Sequence, residues 1–225
     1  MTVERKDLID DLVNDLRPVR RPGKVGRAAL LCLVMATLWS VVIVLATGPL
    51  RPGALRDLAA HPLFIAETGL AALAIAALGV AALRSAIPGE PRMALRFLWL
   101  LPVTAWVTVY IVELAYPAAW VSNLGGRYEC SWQVVLFSLP AFALFLWGAR
   151  RQFPLRPRST GFLAAAAAAA IPGALMQFAC MYVPEHILLH HLVPVAIVAV
   201  LGGLAGPRLL RRPEEARRPR GTIMH

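Results

Sequence analysis

Six stretches of this chain, each about 20 residues long and nearly free of charge, are separated by segments of which every second one concentrates arginine. They run over residues 28–48, 62–83, 97–116, 131–149, 159–180 and 186–206. A helix needs about 20 apolar residues to cross a hydrocarbon layer roughly 30 Å thick. The pattern therefore predicts an all-α fold, a polytopic bundle of six transmembrane helices. Composition agrees, because 58% hydrophobic residues and a mean hydropathy of +0.62 are too apolar for a soluble domain of this length. The fifth stretch contains an alanine tract, 164–170, which is weakly hydrophobic. It is expected inside the bundle, where small side chains let helices approach. No internal repeat or half-chain symmetry of the transporter kind is visible.

The net charge of +10 is distributed by position. All but three of the 23 Lys and Arg fall in the leading segment, the second and fourth loops and the tail; Arg51, Arg56 and Arg127 are the exceptions. Short loops biased this way lie on the cytoplasmic side, which places both termini inside a bacterial inner membrane. The expected organisation is a cytoplasmic amphipathic arm at 1–27, a six-helix membrane domain at 28–206 and a basic cytoplasmic tail at 207–225. The first apolar stretch follows about 27 polar residues without a small-residue exit site, so it reads as a retained anchor. The arginine-rich tail carries no nucleic-acid recognition motif, and the lipid bilayer is the expected surface rather than DNA or RNA.

This threading puts two cysteines on the outer face. Cys130 stands just before the fourth stretch and Cys180 closes the fifth, at similar distances in sequence from Pro154 in the intervening turn. At 1.5 Å rise per residue, two antiparallel helices then bring the sulfurs to nearly equal depth. A static disulfide, a switchable thiol pair and a metal-binding pair all remain open, in a compartment that is oxidising. Cys32 lies near the opposite edge and is expected to pack. His186 and His190, four apart, share a helix face near the cysteines, whereas His191 points elsewhere. Thiols and imidazoles suit a soft metal ion, but polar caps at a membrane interface are the alternative for all three histidines. Glu67 and Glu113 fall in the same outer third. They either bridge helices, through His61, His186 or a tyrosine, or join one outward-facing polar cluster with the cysteines and His190.

The arm reads VERKDLIDDLVNDL over residues 3–16. Leu8, Ile9, Leu12, Val13 and Leu16 form one helical stripe, flanked by acids that include Asp11 and Asp15. A helix of about 15 residues is marginal alone in water. Aspartates in place of lysines disfavour an anionic lipid surface and favour an apolar protein groove with basic rims. Docking on the chain's own loop arginines (Arg150, Arg151, Arg156, Arg158) is the alternative. No CxxC, HExxH, nucleophile elbow or phosphate loop is present, so no enzyme is expected. No resident cofactor is expected either, beyond a transient heavy-metal ion at Cys130 and Cys180. A small membrane transporter, or a haem- or metal-binding membrane protein, is the competing class.

The leading LIDDLVNDLRPVRRP, the six stretches, Cys130 and the segment FACMYVPEHILLHHLVPV around Cys180 together resemble the NrsF-like membrane anti-sigma factors. The resemblance covers nearly the whole chain. That family carries a tryptophan before its last histidine, where this chain has Leu189 and His190. The resemblance implies an anti-sigma factor of the negative-regulator type. Its arm would hold an extracytoplasmic-function sigma factor at the membrane, and oxidant or heavy metal at the outer cysteine pair would release it in a stress response.

Overall fold

The computed structural model describes residues 25–87, 97–116 and 129–211, together with residues 7, 9, 10, 13, 14, 123, 125 and 127. The main elements are α1 (Val25–Ala46), α2 (Ala54–Ala60), α3 (Pro62–Arg84), α4 (Leu100–Ala115), α5 (Cys130–Arg150) and α6 (Pro157–Leu175). α6 continues as a 3-10 turn, Met176–Phe178, and α7 (Pro184–Leu209) closes the described part. Every described element is helical.

Five helices, α1, α3, α5, α6 with its 3-10 turn, and α7, are long and apolar enough to cross a membrane. The third apolar stretch yields less helix than the sequence suggested. α4 has 16 residues, about 24 Å of rise. It stops at Ala115 because Tyr116 precedes a proline and leaves the helical region, with φ −132° and ψ 72°. Large apolar side chains point outward from α1, α3 and α7, among them Leu31, Met35, Val42, Leu73 and Leu201. Such a continuous apolar exterior is foreign to a water-soluble surface.

The alanine helix is the axis of the bundle. Ala164 to Ala170 are all buried, and α6 packs against α1, α3, α5 and α7. Against α7 the contact is glycine on glycine: a Cβ on Gly161 would strike the backbone of Gly202 and Gly206, and one on Gly202 would strike Ala165 and the Gly161 carbonyl. The small residues thus let two backbones touch, as expected for helices that cannot rely on a hydrophobic driving force. Arg150 donates from Nε and from a second guanidinium nitrogen to the Leu209 carbonyl, capping the end of α7 on the arginine-rich side. Cys32 is buried, unpaired, and packs beside Gly148.

Candidate functional site

Cys130 opens α5 and Cys180 follows the 3-10 turn that ends α6, so the hairpin does bring the two sulfurs to one level. They form a disulfide, with Cα atoms 7.2 Å apart. Both cysteines are buried, among Val44, Val134, Phe137 and Met176. The Cys180 N–H donates to the Met176 carbonyl at 2.7 Å, which fixes the sulfur at the end of the tightened turn.

Two histidines share this pocket. One ligand atom each from Cys130, Cys180, His186 and His191 all lie within 4.8 Å of one another. His191 is fully buried, and among the described residues neither of its ring nitrogens has a hydrogen-bond partner, nor does His186 Nε2. An unsatisfied buried polar group is costly. Four soft-metal donors of this kind suit a tetrahedral ion once the sulfurs are thiolates. The sequence had pointed to His190 instead. His190 stacks near His186, with ring centroids 4.7 Å apart, but it is exposed and its Nδ1 pairs with the Ser131 hydroxyl at 2.9 Å. The difference comes from a π-turn over Leu188–Leu192, which widens the helix by one residue and turns His191 inward. Its cause is legible in the chain: Pro194 has no N–H for the His190 carbonyl and crowds it. That proline is the signal the spacing argument overlooked.

Glu67 and Glu113 do not join the cysteines. Tyr182, two residues past Cys180, donates its hydroxyl to Glu67 Oε2 at 2.5 Å and lies 3.5 Å from Glu113 Oε1. Burial first, and the Glu67 charge second, hold the Tyr182 phenol well above its ordinary value, so it remains a donor. The acids thus bridge α3 and α4 through a tyrosine. The neighbouring contacts extend this web. Tyr110 donates to Gln177 Oε1 at 2.9 Å, Gln177 Nε2 donates to Thr68 at 3.1 Å, and Arg51 Nε donates to the Gln177 carbonyl at 3.2 Å. Arg51 also pairs with Asp57 at 2.6 Å and lies 5.5 Å from the Tyr182 ring. The segment carrying Cys180 is therefore held by α3, α4 and the α1–α2 loop at once, with Asp57 of α2 behind Arg51. Tyr182→Phe is expected to leave the buried Glu67 carboxyl short of a donor and to destabilise the bundle by about 1–3 kcal/mol, read as a lower unfolding midpoint. An unchanged midpoint would mean that the acids find other donors.

Of the arm, Asp7, Ile9, Asp10, Val13 and Asn14 are described; all five are helical and exposed. Leu8, Leu12, Leu16, Asp11 and Asp15 lie outside the described residues.

Comparison with curated proteins and with solved structures gave no match. A family model described as negative regulator of sigma F matches residues 12–211, a span that includes α1 to α7, both disulfide cysteines and all three histidines of α7. With all but the first eleven and the last fourteen residues matched, the chain belongs to the negative regulator of sigma F family.

Proposed function

We propose that this protein is an inner-membrane anti-sigma factor that senses thiol chemistry on its outer face. Negative regulation of a sigma factor follows from the family and makes a regulatory rather than catalytic role the natural one. The finer reading is ours. The chain crosses the membrane six times with both termini in the cytoplasm, α4 being the short crossing; the arm at 1–27 captures an extracytoplasmic-function sigma factor; and Cys130 and Cys180 report oxidants or heavy-metal ions. The five long apolar helices, their outward-facing leucines and the one-sided arginines support the membrane location.

The observation that carries the sensor reading is the juxtaposition of Cys130, Cys180, His186 and His191 beside a segment tied to α3, α4 and the α1–α2 loop. In the dithiol state the sigma factor is held. Oxidation to the disulfide removes two electrons and two protons from the thiols, which a peroxide-class oxidant accepts. Alternatively, a thiophilic divalent ion binds both thiolates and releases two protons, with the imidazoles of His186 and His191 completing its shell. Either event moves the end of α6, and Tyr182 with it. Both sulfurs are buried, so small oxidants and bare ions are the agents that fit.

Cadmium titration of the reduced full-length protein in detergent, paired with a sigma-dependent reporter in cells, tests this. Cys130→Ser and Cys180→Ser should each abolish the response, and the double variant should match either single one. His191→Ala should weaken cadmium binding about 10-fold or more, whereas His190→Ala should leave it nearly unchanged. Additive effects of the two cysteine variants, or equal effects of the two histidine variants, would overturn the joint site.

A further inference from the structure

On the arginine-rich side a cleft of about 1260 Å³ opens between α3, α4, α6 and α7. It exceeds the roughly 300–1,000 Å³ of ordinary small-molecule pockets. Its floor is apolar, with Leu73, Val80, Phe162 and Leu204 among its walls; its mouth carries Arg84, Arg156 and Arg158 with the hydroxyls of Ser85 and Ser159. The three arginines are exposed, and among the described residues none has a carboxylate partner. From Arg84 down to Leu73 is eleven residues of α3, about 16 Å of helix. That is close to half of a hydrocarbon core roughly 30 Å thick. Ser85 Oγ and Thr160 Oγ1, 2.9 Å apart, hold α3 to α6 at the mouth.

We infer that this cleft binds an anionic phospholipid of the cytoplasmic leaflet, its phosphate on Arg84, Arg156 and Arg158 and an acyl chain along the apolar floor. Basic pockets between membrane helices on the cytoplasmic side are suited to anionic headgroups. Depth, wall chemistry and unpaired cations together match one lipid in one leaflet. The acidic arm is the rival occupant by charge, but Asp7, Ile9, Asp10 and Val13 are exposed, so the described part of the arm does not fill the cleft. The inference rests on the membrane location and the inward-facing arginines proposed above.

The test uses the full-length protein, stripped of lipid in mild detergent and then offered phosphatidylglycerol or phosphatidylcholine with identical chains, with retention read by native mass spectrometry. The wild type should retain phosphatidylglycerol roughly tenfold better or more. The triple variant Arg84→Gln, Arg156→Gln, Arg158→Gln should lose that preference, and the corresponding triple Arg→Lys variant, the control for folding, should keep most of it. Ala76→Trp fills the apolar channel, leaves every arginine in place, and should lower retention of both lipids. Equal retention of the two lipids by the wild type, a preference that survives the glutamines, or indifference to Ala76→Trp would each overturn the inference. So would a preference that emerges only after Asp7, Asp10, Asp11 and Asp15 are changed to Asn, because the arm would then be the occupant. A chain recovered in good yield without detergent would instead defeat the membrane reading itself.

Discussion

Replacing Leu12 and Leu16 together by aspartate should abolish capture of the sigma factor while leaving the helix bundle intact. Both leucines belong to the single apolar stripe of the arm, whose described members Ile9 and Val13 are 51% and 56% exposed, so that the described residues leave both largely open. An uncovered stripe on so short a helix gains its stability from whatever it docks on. Burying one leucine contributes about 1.5–3 kcal/mol. Losing two therefore removes about 3–6 kcal/mol, or a factor of about 10² to 10⁴ in affinity, before the desolvation of two new carboxylates is counted. Sedimentation of the sigma factor with membranes is the measurement. The wild type should carry it into the pellet and the double variant should leave it in the supernatant, with equal amounts of membrane-inserted regulator. Full retention by the variant would remove the arm from the mechanism and return attention to the arginine-rich loops.

Gly202→Leu should be the most damaging single substitution in the membrane domain. Its Cβ alone would collide with Ala165 and with the Gly161 carbonyl, a backbone atom that cannot rotate away. α7 would have to part from α6, and α6 contributes the central wall of the bundle and carries Cys180 at its end. Overpacking a tight interior costs about 1–3 kcal/mol where side chains can yield, and a backbone collision belongs at or above the top of that range. The expected readout is a loss of folded protein in detergent together with failure to form the Cys130–Cys180 disulfide. Gly26→Leu is the matched control, since a Cβ there meets nothing within 4 Å. Equal behaviour of the two variants would show that the glycine seam does not set the helix spacing.

The two cases differ in how they could be read from the chain. The stripe of the arm is a local pattern: five apolar positions on one face and aspartates beside them need no knowledge of the rest of the fold. The cysteine pair was legible for a related reason, since two helices joined by a short turn leave little freedom in depth. The buried position of the alanine tract followed from the weak hydrophobicity of its side chain. The inward turn of His191 was missed, while His186 fell beside the cysteines as expected, because a 3.6-residue period was applied through a segment that Pro194 forces into a wider turn. α4 came out short of the stretch that suggested it, for hydropathy alone does not register the proline after Tyr116.

Helical class, the count of apolar stretches, their charge asymmetry and the apolar face of the arm were determined by the sequence alone, since each depends on neighbours a few residues apart along the chain. Which histidine faces the sulfurs, the partnership of Glu67 and Glu113 with Tyr182, the glycine seam and the arginine-mouthed cleft were decided only by the tertiary structure. Each of these joins groups tens of residues apart, and their meeting is set by how close the helices approach and how they are rotated, which side-chain volumes settle collectively.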